Sequence, residues 1–215
     1  MPIIAVGVVG GLVWGLVADR IAARWPVHED GRTRPIDWRT PVAALAGAGA
    51  GALVLDRFGT APAAQLAIMV LDVLALVLLF AIDLDQRLLP DVITWPLVGL
   101  ALVAFALGAG PYVQTVEELA FAAVAAVVAP VILYVVSIPF GPGAIGQGDL
   151  KLLVSVGLLG GPARLFFGLV FGAIVAAIAI VVLVGLRRIT LRSYVPYGPF
   201  LIAGTIWALL SVMET

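Results

Sequence analysis

Apolar segments long enough to cross a bilayer fill this chain and leave it little choice of fold. A crossing helix needs about 20 predominantly apolar residues, because hydrocarbon offers its backbone no other hydrogen-bond partners. Eight segments are candidates, at residues 2–23, 41–55, 61–82, 92–108, 116–138, 150–159, 163–186 and 197–212. The second and sixth are short, and the sixth is short enough to be a partial or re-entrant helix. Over its 215 residues the chain is 63% hydrophobic and 12% charged. A soluble domain has roughly 45–50% apolar and about 25% charged residues. The expectation is an all-α, polytopic transmembrane bundle of about eight spans with no soluble domain. No positive stretch precedes the first apolar segment and no small-residue cleavage site follows it, so a retained span is expected rather than a signal peptide.

The basic residues predict an orientation. Cytoplasmic loops carry the excess of Lys and Arg. With eight crossings, the loops after the odd-numbered spans share one side. They hold Arg20, Arg24, Arg32, Arg34, Arg39, Arg87, Lys151, Arg187, Arg188 and Arg192, ten of the twelve basic residues, and leave only Arg57 and Arg164 opposite. The pattern places both termini outside and the loops after spans three and five in the cytoplasm. It depends on the sixth segment crossing, since everything after it would otherwise invert. Net charge is -1, so nothing suggests nucleic acid as a partner. The absence of cysteine excludes disulfides, thiolate zinc sites and a cysteine nucleophile.

Two regions follow from this pattern: residues 1–60, with the N-terminal helices and a loop, and residues 61–215, a core carrying the chemistry. The loop, roughly Arg24 to Thr40, is rich in Pro, Gly and nearly cancelling charges, which argues against a separate domain. His28, the sole histidine, lies in it and reads as solvated. Gly47 and Gly51 have the four-residue spacing that lets helices approach closely, and tight internal packing is its common use.

Charge next to hydrocarbon is costly and usually persists because it is used. Two acidic stretches stand out: Ile82-Asp83-Leu84-Asp85-Gln86-Arg87-Leu88-Leu89-Pro90-Asp91, ending one apolar run, and Gly146-Gln147-Gly148-Asp149-Leu150-Lys151, opening another. Asp83 and Asp149 read as the two carboxyls of an intramembrane aspartyl protease. Such chemistry needs one carboxylate to activate water and one acid to polarise a carbonyl, and two close carboxyls supply that split themselves. Gly146 and Gly148 leave no side chain to block an extended substrate, and Gly141-Pro142-Gly143 stops the preceding span. Lys151 projects away from Asp149 on a helix, toward a lipid phosphate or a loop carboxylate. Asp85 reads as a solvated loop charge, and Asp91 as a cap or first-turn acid. Asp72 lies eleven residues before Asp83. At about 100° per residue it shares the face of Asp83 and is expected to be bonded to a neighbouring helix. No metal or cofactor is needed.

These residues resemble the GxGD aspartyl proteases, and within them the type IV prepilin peptidases. The match comprises Ile82-Asp83-Leu84-Asp85, Leu89-Pro90-Asp91, Thr94, Gly146-Gln147-Gly148-Asp149-Leu150-Lys151-Leu152 and a later Val195-Pro196-Tyr197-Gly198-Pro199-Phe200. It covers the chain from about residue 62 to the end. In that family the first aspartate lies seven residues before the proline of the PD element, which selects Asp83 over Asp85; the second is Asp149. The resemblance implies cleavage of the basic leader of prepilin, pseudopilin or archaellin-like precursors, after a glycine, at the cytoplasmic face of the inner membrane. Many bacterial members also methylate the new N-terminus and carry a cytoplasmic insert with two paired-cysteine motifs. This chain resembles a minimal form without the insert, which argues against methylation. Rival readings are a proton-coupled transporter using Asp72, Asp83 and Asp149, for which no internal repeat is visible, and an inactive scaffold of a pilus or secretion assembly.

Overall fold

Glycine sets the first packing contact. The computed structural model describes residues 2–27, 31, 33–141, 145–188 and 197–211. His28, Arg32, Pro142, Gly143, Arg192, Val195 and Pro196 therefore lie outside the described residues. The first two helices, α1 (Pro2–Ala22) and α2 (Arg39–Phe58), run antiparallel. A Cβ added at Gly7, Gly11 or Gly15 would strike the α2 backbone at Gly51, Gly47 or Ala43 in turn. Gly47 and Gly51 thus serve packing within the chain, as their spacing suggested.

Five more helices follow: α3 (Ala63–Gln86), α4 (Asp91–Ala106), α5 (Val116–Ser137), α6 (Gln147–Gly185) and α7 (Gly198–Leu210). No strand occurs among the described residues. Five helices, α1, α2, α3, α5 and α6, are long and apolar enough to cross a membrane, while α4 and α7 are shorter apolar helices. The protein is a polytopic, all-helical membrane protein. Its core lies around α3, where Met69, Leu76, Leu79 and Ile82 are buried with Leu152 and Leu153 of α6 and Leu201, Ile202 and Leu209 of α7. Local chemistry marks the boundaries. Thr115 and Glu118 form a capping box at the start of α5, satisfying backbone donors that have no partner inside the helix. α3 continues past Ile82 and closes at Arg87, which adopts a left-handed conformation with φ 55° and donates its N–H to Asp83 O at 3.0 Å. Asp83 and Asp85 are therefore inside the helix, because nothing breaks it before Pro90, which disfavours a helical residue ahead of it.

Among the described residues the sixth and seventh expected segments are the two parts of α6, one before and one after a break in the helix. They join through Gly161, with φ 73° and ψ 179°, followed by Pro162. That backbone region is essentially reserved for glycine. Before the break, Gly148 packs on Leu89 and Gly160 on Leu209. After it, Gly168 lies against Ala208 and Gly172 against Phe200. The first part of α6 traverses the bundle, and the second returns antiparallel to α7.

The far end of α7 is pinned. Arg164 donates to Ala208 O and, at 3.1 Å, to Ser211 O, while the Tyr112 hydroxyl donates to Leu209 O. These are carbonyls at the helix C-terminus, which lack intrahelical donors. The Arg164 guanidinium also lies 3.7 Å from the centre of the Tyr112 ring. Fixing this end of α7 fixes where its first turn points, which is toward Asp83.

Candidate active site

Asp83, on the last turns of α3, and Asp149, in the first turn of α6, face one cleft of about 290 Å³. The cleft is also lined by Arg87, Leu88, Leu89, Asp91, Gly146, Gln147, Gly148 and Lys151. Asp83 is buried and Asp149 half-buried. The Asp83 Oδ2 is fully enclosed and has no hydrogen-bond partner among the described residues. A buried polar atom without a partner is costly and calls for an explanation. The structure thus brings together two acidic stretches that lie more than sixty residues apart in the chain.

The smaller residues of the two stretches hold this geometry. Pro90 adopts an extended conformation, φ -66° and ψ 134°, and launches α4, so that Asp91 begins its first turn. Gly148 allows the first turn of α6 to press on the Leu89 backbone: a Cβ there would lie 2.6 Å from Leu89 Cβ and 2.8 Å from Leu89 O. The room beside Gly148 is thus occupied by Leu89. Gly146 caps α6 in an extended conformation, and a Cβ on it would lie 3.0 Å from Asp149 Oδ2. Lys151 meets a carboxylate on a helix rather than the expected loop carboxylate or lipid phosphate: its Nζ binds both oxygens of Asp91, in the first turn of α4, at 2.6 and 2.7 Å.

Two acids depart from expectation. Asp85 is not a solvated loop charge. Its side chain is buried, 3.0 Å from Arg34 Nε and 3.3 Å from Arg39 Nη1. The cause is tertiary: the first loop folds back over the end of α3. There Arg34 also pairs with Asp19 and, at 2.5 Å, with Asp37. Thr40 donates to Asp19 at 2.7 Å, and Gln86 donates to Pro26 O at 2.7 Å. Burial favours a neutral Arg34, but the bonds to Asp19 and Asp85 outweigh it and raise its pKa above the ordinary arginine value. The cancelling charges of the loop were the sequence signal for this cluster. Asp72 is buried on the face of Asp83, as its spacing predicted, yet its Oδ2 has no hydrogen-bond partner among the described residues, and it does not line the cleft. The expected bond to a neighbouring helix is absent among these residues.

The start of α7 was quoted from the sequence but given no role. In the structure Gly198 abuts Asp83: a Cβ on Gly198 would fall on its carboxyl group, 2.7 Å from Cγ.

The fold is that of an integral membrane helix bundle, with two aspartates gathered into one cleft. Residues 70–183 match the type IV leader peptidase family. The chain is 32% identical over 171 residues to a protein named prepilin leader peptidase/N-methyltransferase from Pseudomonas aeruginosa, covering 78% of this chain and 57% of that protein. Proteins of the same name from Burkholderia pseudomallei and Aeromonas salmonicida are 32% and 35% identical, over 79% and 61% of this chain and 54% and 45% of theirs. The chain belongs to the type IV leader peptidase family. It spans about half the length of these curated relatives. No solved structure matches it.

Proposed function

We propose that this protein is an aspartic endopeptidase of the inner membrane that removes the basic leader from type IV prepilin-like precursors at the cytoplasmic face. The observation that carries the reading is the shared cleft of Asp83 and Asp149. It lies at the end of the bundle where Arg20, Arg34, Arg39, Arg87 and Lys151 gather, while Arg57 and Arg164 occupy the other end. An excess of basic residues is the mark of a cytoplasmic face. Both termini then lie outside.

The chemistry follows from two carboxyls that hold one proton between them. The ionised one takes a proton from water as its oxygen attacks the scissile carbonyl. The protonated one donates to the carbonyl oxygen, and the resulting diol collapses as the leaving nitrogen accepts a proton. The products are a free carboxylate on the leader and a free amine on the mature precursor. N-methylation is not part of the proposed activity, since the paired-cysteine motifs that the resemblance associates with it have no counterpart in a chain without cysteine.

The test is co-expression with a tagged prepilin-type precursor and mass spectrometry of its N-terminus, for the wild type, Asp83→Asn and Asp149→Asn. The expected result is a shortened precursor with an unmodified amine for the wild type and an uncut one for both variants, each still inserted. Cleavage retained by either variant would overturn the assignment of the pair. An added mass of about 14 Da would restore methylation to the activity.

A further inference from the structure

The atom closest to a Cβ built on Gly198 is Asp83 Oδ2, and the next two are Cγ at 2.7 Å and Oδ1 at 2.9 Å. All three belong to one carboxyl group. Real Cβ atoms do not approach other atoms this closely, so a side chain at position 198 and the present position of Asp83 exclude each other. The neighbouring structure gives no room to yield. Gly204, six residues along α7, packs against the α6 backbone: a Cβ on it would strike Gly168 O and lie 2.8 Å from Gly172 N. The other end of α7 is tied by Arg164 and Tyr112. α7 is therefore held along its length, and Asp83 is the movable partner.

We propose that Gly198 is a positioning residue of the active site. Its bare Cα is the wall against which the Asp83 carboxyl rests, beside the cleft that Asp83 lines with Asp149 and Arg87. The inference rests on the reading of Asp83 as a reacting group. It adds a third element, the start of α7, to the two acidic stretches. Asp83 Oδ2, enclosed and unpartnered, is the atom held there. A carboxyl kept in place by a rigid backbone does not have to be reoriented when substrate arrives, which is worth rate rather than affinity.

The experiment compares the full-length wild type, Gly198→Ala and Gly185→Ala, the last because a Cβ at Gly185 meets nothing within 4 Å. Each is assayed for cleavage of a prepilin-type peptide, for thermal stability, and for carbodiimide modification of Asp83 read by mass spectrometry. Gly198→Ala is expected to lower kcat about 100-fold, the scale set by a misplacement of roughly 1 Å. KM is expected to stay within about twofold, because ground-state binding is untouched. The rate of Asp83 modification is expected to change, with Gly185→Ala like the wild type in every readout. Wild-type kcat and wild-type Asp83 modification in a folded Gly198→Ala protein would overturn the proposal. So would a loss of thermal stability with kcat per folded molecule unchanged. If the wild type itself does not cut the peptide, the prepilin reading fails while the modification of Asp83 still decides this one. If Gly198→Ala does not accumulate, the double variant Gly198→Ala/Asp83→Ala replaces it. Removing the carboxyl should rescue accumulation, a non-additivity expected only of groups in contact; no rescue would overturn the proposal.

Discussion

The ammonium of Lys151 lies 2.6 and 2.7 Å from the two carboxylate oxygens of Asp91, joining the first turn of α6 to the first turn of α4. The first of these turns carries Asp149; the second follows the Leu89-Pro90 segment that leads away from Asp83. The bridge therefore runs beside the cleft from one acidic stretch to the other. It complements the contact of Gly148 with Leu89 just beside it.

Breaking that bridge should affect rate more than stability. The two side chains are 25% and 59% exposed, and ion pairs this exposed contribute about 0–1 kcal/mol. Lys151→Met and Asp91→Asn are each expected to lower kcat for leader cleavage about 10-fold, equivalent to roughly 1.4 kcal/mol of barrier. The reversed pair, Lys151→Asp with Asp91→Lys, should recover part of the loss. Steady-state kinetics and a melting curve on the four proteins check this, and equal losses of kcat and melting temperature would contradict it.

Arg34 should matter to stability first. It sits between Asp19, which is 1% exposed, and Asp85, which is 3% exposed. Arg34→Ala leaves both carboxylates short of a partner, and removing one member of a buried ionic cluster costs about 3–5 kcal/mol. Denaturant unfolding in detergent measures this. Asp85→Asn is expected to keep cleavage, because Asp85 is turned toward the loop and away from the cleft; loss of cleavage at wild-type stability would place Asp85 in the reaction instead.

Asp72 offers a contrast with Asp83. Both have an enclosed, unpartnered Oδ2 among the described residues, but only Asp83 lines the cleft. A buried polar group without a partner costs about 1–3 kcal/mol. Asp72→Val is therefore expected to raise thermal stability by that order and to leave leader cleavage at the wild-type rate. A large loss of cleavage in this variant would make Asp72 a participant, the behaviour expected of a proton relay.

Much of the site was legible because its signals are local. An acid, a proline and an acid at set intervals, or two glycines before an acid, singled out Asp83, Pro90, Asp91 and Asp149, and the structure gathers Asp83, Asp91 and Asp149 around one cleft. The partner of Lys151 was legible as a carboxylate, but not as Asp91 in the first turn of α4, because that contact spans sixty residues. Asp85 was misread because its surroundings come from a loop fifty residues earlier, which holds Arg34 and Arg39. Gly198 was passed over because a glycine at a helix start has many uses, and only a neighbour distant in the chain shows which one applies.

The sequence alone determined that this chain is a helical membrane bundle, because backbone groups in hydrocarbon must bond within their own segment and the apolar runs are long enough to do so. It also determined which acids stand where lipid makes charge expensive. The tertiary structure decided the rest: that α6 turns back at Gly161, that Asp85 belongs to an ion-pair cluster, and that Gly198 lies against Asp83. These depend on packing between helices far apart in the chain, where a gap or clash of one methyl group settles the outcome and no local pattern records it.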